Sequence, residues 1–381
     1  MAMKKIAIIG ASYLQEPLIQ KAKSRGYETH VFAWKAGDVG EYSADHFYPI
    51  SITEKEEILE QCRKIGIDAI CSISSDLAIV TVNYVAEQMG LCGNSWESTL
   101  LTTNKHLMRK RFEEKGDPSP KSMLADSVED TNDMDMSYPV IVKPLDRSGS
   151  RGITLVENAE DLEDAINAAL AVGFEKKALI EEYVTGDEYS VEYISWRGKH
   201  SFLALTKKYT TGSPNFIETA HLEPADVDDE ILKKIQRVVV HALDSLEFKN
   251  GASHSEVMVT PDGEIKLIEI GGRMGGDNIG SSLVELSTGY DFLGAVLDVS
   301  MGIEPVYTKT KQSCAGIRFV FAHEDVDILE NIRKEHPDMI VDEDVHEITE
   351  ESVSDSSKRF GYYTLVSDDL DGIRRYMPQG E

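Results

Sequence analysis

The chain has 381 residues, 41% of them hydrophobic, which is enough for about two or three buried cores. Its formal charge of −28 argues against wrapping a nucleic acid, and no run of about twenty apolar residues offers a membrane span, so neither is an expected partner.

Four cysteines, Cys62, Cys71, Cys92 and Cys314, are scattered without a C-x-x-C pair. This predicts free thiols in a reducing compartment and a cytoplasmic protein. The opening Met1-Ala-Met-Lys-Lys-Ile-Ala-Ile-Ile-Gly10 has the charge and apolarity of a signal peptide's front. Tyr13, Gln15 and Glu16 soon interrupt it, so it reads as a first strand.

Residues 1 to about 100 alternate strand-like and helix-like patterns. Lys5-Ile-Ala-Ile-Ile is followed by a helix through Lys21 to Gly26, then by Glu28-Thr-His-Val-Phe and later by Ala69-Ile-Cys-Ser-Ile. That rhythm predicts a parallel sheet. Its first turn, Gly10-Ala-Ser12, lacks G-x-G-x-x-G, which argues against a nicotinamide dehydrogenase. Ser75-Asp76 follows the Ala69 strand, where such sheets bind ligands, and a helix N-cap is its expected role.

Lys105 opens a helical pattern that runs to Gly116-Asp-Pro-Ser-Pro120, and alone would be an ordinary surface lysine. The acidic stretch Asp126 to Asp135 predicts an exposed loop or short helix. Lys143 ends the apolar strand Tyr138-Pro-Val-Ile-Val-Lys143, and Asp146-Arg-Ser148-Gly149-Ser150-Arg151-Gly152 follows at once. Such a loop behind a strand-end lysine suits a phosphate, because its backbone N–H groups and hydroxyls donate to oxygens. Ala178-Leu-Ile-Glu181-Glu182-Tyr-Val184-Thr-Gly-Asp-Glu188 reads as a strand, a short linker and a second strand. The linker offers backbone groups to an adenine edge and Glu188 offers a carboxylate to ribose, while an ordinary hairpin with exposed acids is the simpler reading of the segment by itself.

Glu256 and Glu269 lie thirteen residues apart on apolar segments joined by Pro261-Asp-Gly263. A tight turn there pairs the segments and sets the two carboxylates side by side, as Mg²⁺ requires of hard oxygen ligands. Arg273, four residues past Glu269 in a glycine-rich loop, suits a phosphate oxygen. His254, beside Glu256, is expected to be a neighbour of the metal ligands, since Mg²⁺ prefers oxygen. From about Pro305 onward a smaller α+β piece follows, with Cys314-Ala-Gly-Ile-Arg-Phe and Gly361-Tyr-Tyr-Thr-Leu-Val as strands.

Taken in order, Lys105, Lys143 with its glycine loop, Glu181 to Glu188, and Glu256 with Glu269 resemble an ATP-grasp enzyme. The resemblance runs from about Lys4 to about Asp298. It is similar to the L-amino acid ligases and more distantly to the carbamoyl phosphate synthetase large subunit, biotin carboxylase and glycinamide ribonucleotide synthetase. It implies a mixed α/β and α+β architecture: a parallel-sheet domain over residues 1–100, an ATP-grasp domain over 101–300 with a lid at about 120–182, and an α+β piece over 301–381.

For the site, the resemblance implies ATP and Mg²⁺, with Mn²⁺ as a substitute. Lys105, Lys143, Ser148, Gly149 and Ser150 would meet phosphates, with Lys208 nearby. Glu181, Glu182 and Val184 would meet adenine through backbone groups, and Glu188 would meet ribose. Glu256 and Glu269 would hold the metal, and Arg273 the transferred phosphoryl group. In L-amino acid ligases a stretch like Lys208 to Pro224, with Glu218-Thr-Ala-His221-Leu-Glu-Pro224, borders the meeting place of carboxylate, phosphate and amine. His221 is thus a candidate to donate to phosphate or manage a proton, against the simpler reading of a packed imidazole. Many members carry Asn where this chain has Gly271, so a second metal needs water or another residue, with Asp277 or Asn278 nearest in sequence.

The implied activity joins a small carboxylate to an amine through an acyl phosphate, and the class leaves room for a homodimer. The competing expectations are a bicarbonate-activating enzyme, a purine-pathway ligase, or an ATP-binding regulatory protein without turnover.

Overall fold

The computed structural model describes residues 3–146, 152–213, 215–350 and 352–378. Ser148, Gly149 and Ser150, expected at the phosphates, lie outside these.

The first four strands are β1 (Lys5–Ile9), β2 (Glu28–Phe32), β3 (His46–Tyr48) and β4 (Ala69–Cys71), in the order β3-β2-β1-β4 with every neighbour parallel. Ile6 to Ile9 and Thr29 to Phe32 are buried without alternation, as strands covered on both faces must be. Helix Phe292–Ser300, remote in sequence, helps cover this sheet through Phe292, Leu293 and Val296. Arg25, just past the end of helix Glu16–Ser24, holds it there, donating to Asp298 at 2.6 Å and Asp291 at 3.1 Å.

A second sheet contains β5 (Ser122–Ala125), β6 (Val140–Pro144), β7 (Thr154–Val156) and β8 (Ala178–Glu182), in the order β5-β8-β6-β7, all antiparallel. Helix Leu162–Val172 packs Leu162, Ala165, Ile166 and Ala169 against it.

The third sheet contains β9 (Asp187–Trp196), β10 (Lys199–Thr210), β11 (Glu218–Glu223), β12 (Gly251–Val259), β13 (Ile265–Gly271), β14 (Cys314–Phe319), β15 (Ile340–Val345) and β16 (Gly361–Ser367). Its order is β13-β12-β9-β10-β11-β14-β16-β15. Helix Asp229–Ser245 buries Ile235, Val239, Ala242 and Leu243 in the core of β9, β12 and β13, a helical stripe at intervals of three and four. The C-terminal strands extend this same sheet through β11 instead of forming one of their own.

The segment 178–193 is not a hairpin. β8 belongs to the second sheet and β9 to the third, so Tyr183–Gly186 crosses between them. Among the described residues no helix is long and apolar enough to cross a membrane.

Candidate functional site

Helix Lys105–Lys115 starts at Asn104, whose side chain accepts from the Leu107 N–H at 3.0 Å. Lys105 and Arg109, one turn apart, project from the same face. Lys105 donates to Glu269 on β13. Arg109, which the sequence did not single out, donates to Glu181 on β8 at 2.6 Å and to the Leu267 carbonyl on β13 at 3.2 Å. One buried guanidinium thus ties the second sheet to the third.

Glu181 also pairs with Lys143 on β6. Its carboxyl loses solvation by burial, yet Arg109 and Lys143 outweigh that and hold it down at about 2. The side chain expected merely to accompany an adenine-facing backbone therefore positions Lys143. Glu182 and Val184, half-buried, stand at the end of β8 and in the crossing linker.

Glu256 and Glu269 are direct cross-strand partners on β12 and β13, with a register irregularity just after Glu256. The hairpin closes through Thr260, whose N–H donates to the Glu264 carbonyl at 2.9 Å around Pro261-Asp-Gly263. Lys208 on β10 is buried and donates to Glu256 at 2.8 Å and to Glu188 on β9 at 2.5 Å. Burial opposes the charges of Lys208 and Glu256, but Glu188 and then Glu256 raise the ammonium well above its ordinary value, while Lys208 and His254 hold Glu256 well below its own. Glu188 shifts upward, first through burial and then through the charge of Glu256, against the pull of Lys208.

His254 stands behind this pair. Its Nδ1 bonds fully buried Glu192, and its Nε2 lies 3.6 Å from Glu256. Burial disfavours the imidazolium, but Glu192 raises it to about 9. The Gly275 N–H completes Glu192 at 3.1 Å; a Cβ at Gly275 would fall 2.7 Å from that carboxylate and 2.8 Å from His254, so only glycine fits.

Arg273 grips Asp76 with two bonds, at 2.9 and 3.1 Å. Ser75 is the N-cap expected, accepting from the Ala78 N–H at 3.3 Å, but Asp76 has a different role, carrying the parallel-sheet domain into the site. A Cβ at Gly271 would sit 3.1 Å from both Arg273 Nε and Asp76 Oδ1, which explains glycine here in steric terms. Asp277 does not complete a metal set: among the described residues no group of three His, Cys, Asp or Glu ligands gathers around Glu256 and Glu269. Asp277 instead accepts from Arg359 at 2.9 Å and lies 3.5 Å from His221 Nε2. Asn278 begins the next helical turn.

His221 on β11 is the cross-strand partner of Lys208 and is buried edge-on to Phe319. Arg359, from the C-terminal part, lies over the same ring with its guanidinium carbon 3.8 Å from the centroid and also donates to Glu218 at 2.9 Å. Glu218 in turn stands 3.9 Å from Lys208, so the two charge clusters touch. The sequence signalled Glu218 and His221 but nothing marked Arg359.

Two carboxylates on paired strands, basic side chains from the second and third sheets and from helix Lys105–Lys115 around them, and a linker crossing between those two sheets define an ATP-grasp fold. Residues 136–281 match the ATP-grasp domain family. Among solved structures, an L-amino acid ligase from Bacillus licheniformis superposes with a TM-score of 0.82 at 20% identity, covering 99% of this chain and 96% of that one. A phosphoribosylglycinamide synthetase from Anaerococcus prevotii superposes with a TM-score of 0.77 at 18% identity, covering 98% and 96%. In sequence, the alanine–anticapsin ligase of Bacillus subtilis (strain 168) is 29% identical over 273 residues. That match covers 64% of this chain and 57% of the ligase, so the chain spans little more than half the length of this relative.

Proposed function

We propose that this protein is an ATP-dependent carboxylate–amine ligase, acting in a reducing cytoplasm on small carboxylates and amines of the amino acid type. The observation that carries the reading is the cross-strand pair Glu256 and Glu269, flanked by Lys208 and Lys105, in a chain that is otherwise strongly acidic. The similarity to ligases named for alanine and for L-amino acids supports amino acids as substrates.

Glu256 and Glu269 fit Mg²⁺, because they present hard oxygens from adjacent strands and the remaining positions suit water and phosphate. When bound, the ion offsets phosphate charge. Lys105 and Lys143 hold ATP phosphates, and Glu181 keeps Lys143 aimed. The linker after β8 offers backbone groups of Glu182 and Val184 to adenine, and Glu188 accepts from ribose hydroxyls. The substrate carboxylate attacks the γ-phosphorus, the bond to the bridging oxygen breaks, and ADP leaves. Arg273 steadies the moving phosphoryl group, being fixed in place by Asp76. The amine then attacks the acyl carbon, loses a proton, and phosphate departs. His221, beside Asp277 and near Lys208, borders the place where that proton is released.

The test is a screen of amino acids and small carboxylates, singly and in pairs, for ATP-dependent phosphate release. The expected result is release that requires both an acid and an amine acceptor. ATP binding without acid-dependent turnover across the screen would favour a regulatory protein, and release driven by bicarbonate alone a carboxylase.

A further inference from the structure

A second cluster of ligand-type side chains lies outside the nucleotide site, where β2 begins and pairs with the edge strand β3. Glu28 and His30 are two residues apart on β2 and therefore share a face, and His46 on β3 is the direct register partner of His30. Glu28 Oε1 lies 3.0 Å from His30 Nε2 and 3.3 Å from His46 Nε2, and the ligand atoms of all three lie within 4.8 Å of one another. Among the described residues this is the group of three or more His, Cys, Asp or Glu ligands so arranged.

The spacing suits one metal in particular. Zinc takes imidazole nitrogen and carboxylate oxygen at about 2.0–2.1 Å in a tetrahedron, whose edges are then about 3.3 Å. Two of the three distances already match. The rings of His30 and His46 stack with centroids 4.7 Å apart and planes within 15°, and both Nε2 atoms approach the same Glu28 oxygen. His30 is further fixed from behind, its Nδ1 lying 3.0 Å from the Tyr48 hydroxyl, as metal-bound imidazoles are usually fixed through their second nitrogen. Beside Glu28 and His46 opens a surface cavity of about 540 Å³, lined also by Lys23, Tyr27 and Asp45, with room for a water or small anion.

We propose that Glu28, His30 and His46 bind a zinc ion that clips β3 onto β2 and keeps its fourth position open to this cavity. The site shares no residue with the ATP-binding machinery and does not depend on the ligase reading.

The experiment is a zinc titration of chelator-treated full-length protein against a chromophoric competitor, with Mg²⁺ in excess to occupy Glu256 and Glu269. Cobalt(II) in place of zinc reports geometry through its visible absorption. The expected result is a single zinc per chain and a tetrahedral cobalt spectrum. Both His46→Ala and Glu28→Gln should weaken zinc binding at least about a hundredfold, while Glu269→Gln leaves it unchanged. His46 is half-exposed, so its removal should leave the far-ultraviolet circular dichroism intact. Equal zinc affinity in wild type, His46→Ala and Glu28→Gln would overturn the site, as would a cobalt–thiolate band pointing to Cys92.

Discussion

Lys105, Lys143, Lys208 and Arg273 each rest against a carboxylate, and that pairing decides what a single substitution does. Glu181 is the most deeply enclosed of these partners. It ionises at about 2 in the fold against an ordinary 4.5, so its contribution to stability is complete above about pH 4.5 and is lost as the pH falls toward 2. Glu181→Gln leaves Arg109 and Lys143 without their buried countercharge, which should cost about 3–5 kcal/mol at neutral pH. In acid titrations followed by circular dichroism, the variant should lose less stability across that window than wild type; parallel curves would contradict the assignment. Glu269 and its partner Lys105 are both partly exposed, unlike the enclosed Glu181. Glu269→Gln should therefore keep the melting temperature within a few degrees yet lower ADP formation about a hundredfold or more. Full turnover would remove Glu269 from the metal site.

At the level of elements, the hairpin of β12 and β13 was legible, because Pro261-Asp-Gly263 between two apolar runs fixes both turn and register. The parallel sheet was equally plain from its unbroken apolar strands. The route from β8 to β9 was not: two strands separated by four residues look like a hairpin, and only the pairing of β8 with β5 and β6 sends them to different sheets. Arg109 and Arg359 were missed, and Asp76 was read as part of an N-cap pair instead of Arg273's partner, for a related reason. Their partners lie 72, 141 and 197 residues away in the chain, a distance at which no local pattern survives. Gly271 at the end of β13 was legible as a departure, while its steric cause needed Asp76. Gly271→Ala should push on the Arg273–Asp76 pair, lowering kcat about tenfold with little change in KM for ATP, as expected when a transition-state contact is displaced. Steady-state kinetics check this; a rise in KM alone would make Arg273 an ATP anchor.

Across the whole molecule, an overall charge of −28 coexists with a site that gathers cations from the second and third sheets, from helix Lys105–Lys115 and from the C-terminal part. The central claim is that this gathering activates a carboxylate by phosphorylation. Once the screen identifies an acid, oxygen-18 in its carboxylate provides the most direct test. The acyl-phosphate route moves one labelled oxygen into the released phosphate, which mass spectrometry detects as a two-dalton increase alongside ADP. Amide product with unlabelled phosphate, or with label in AMP, would contradict it.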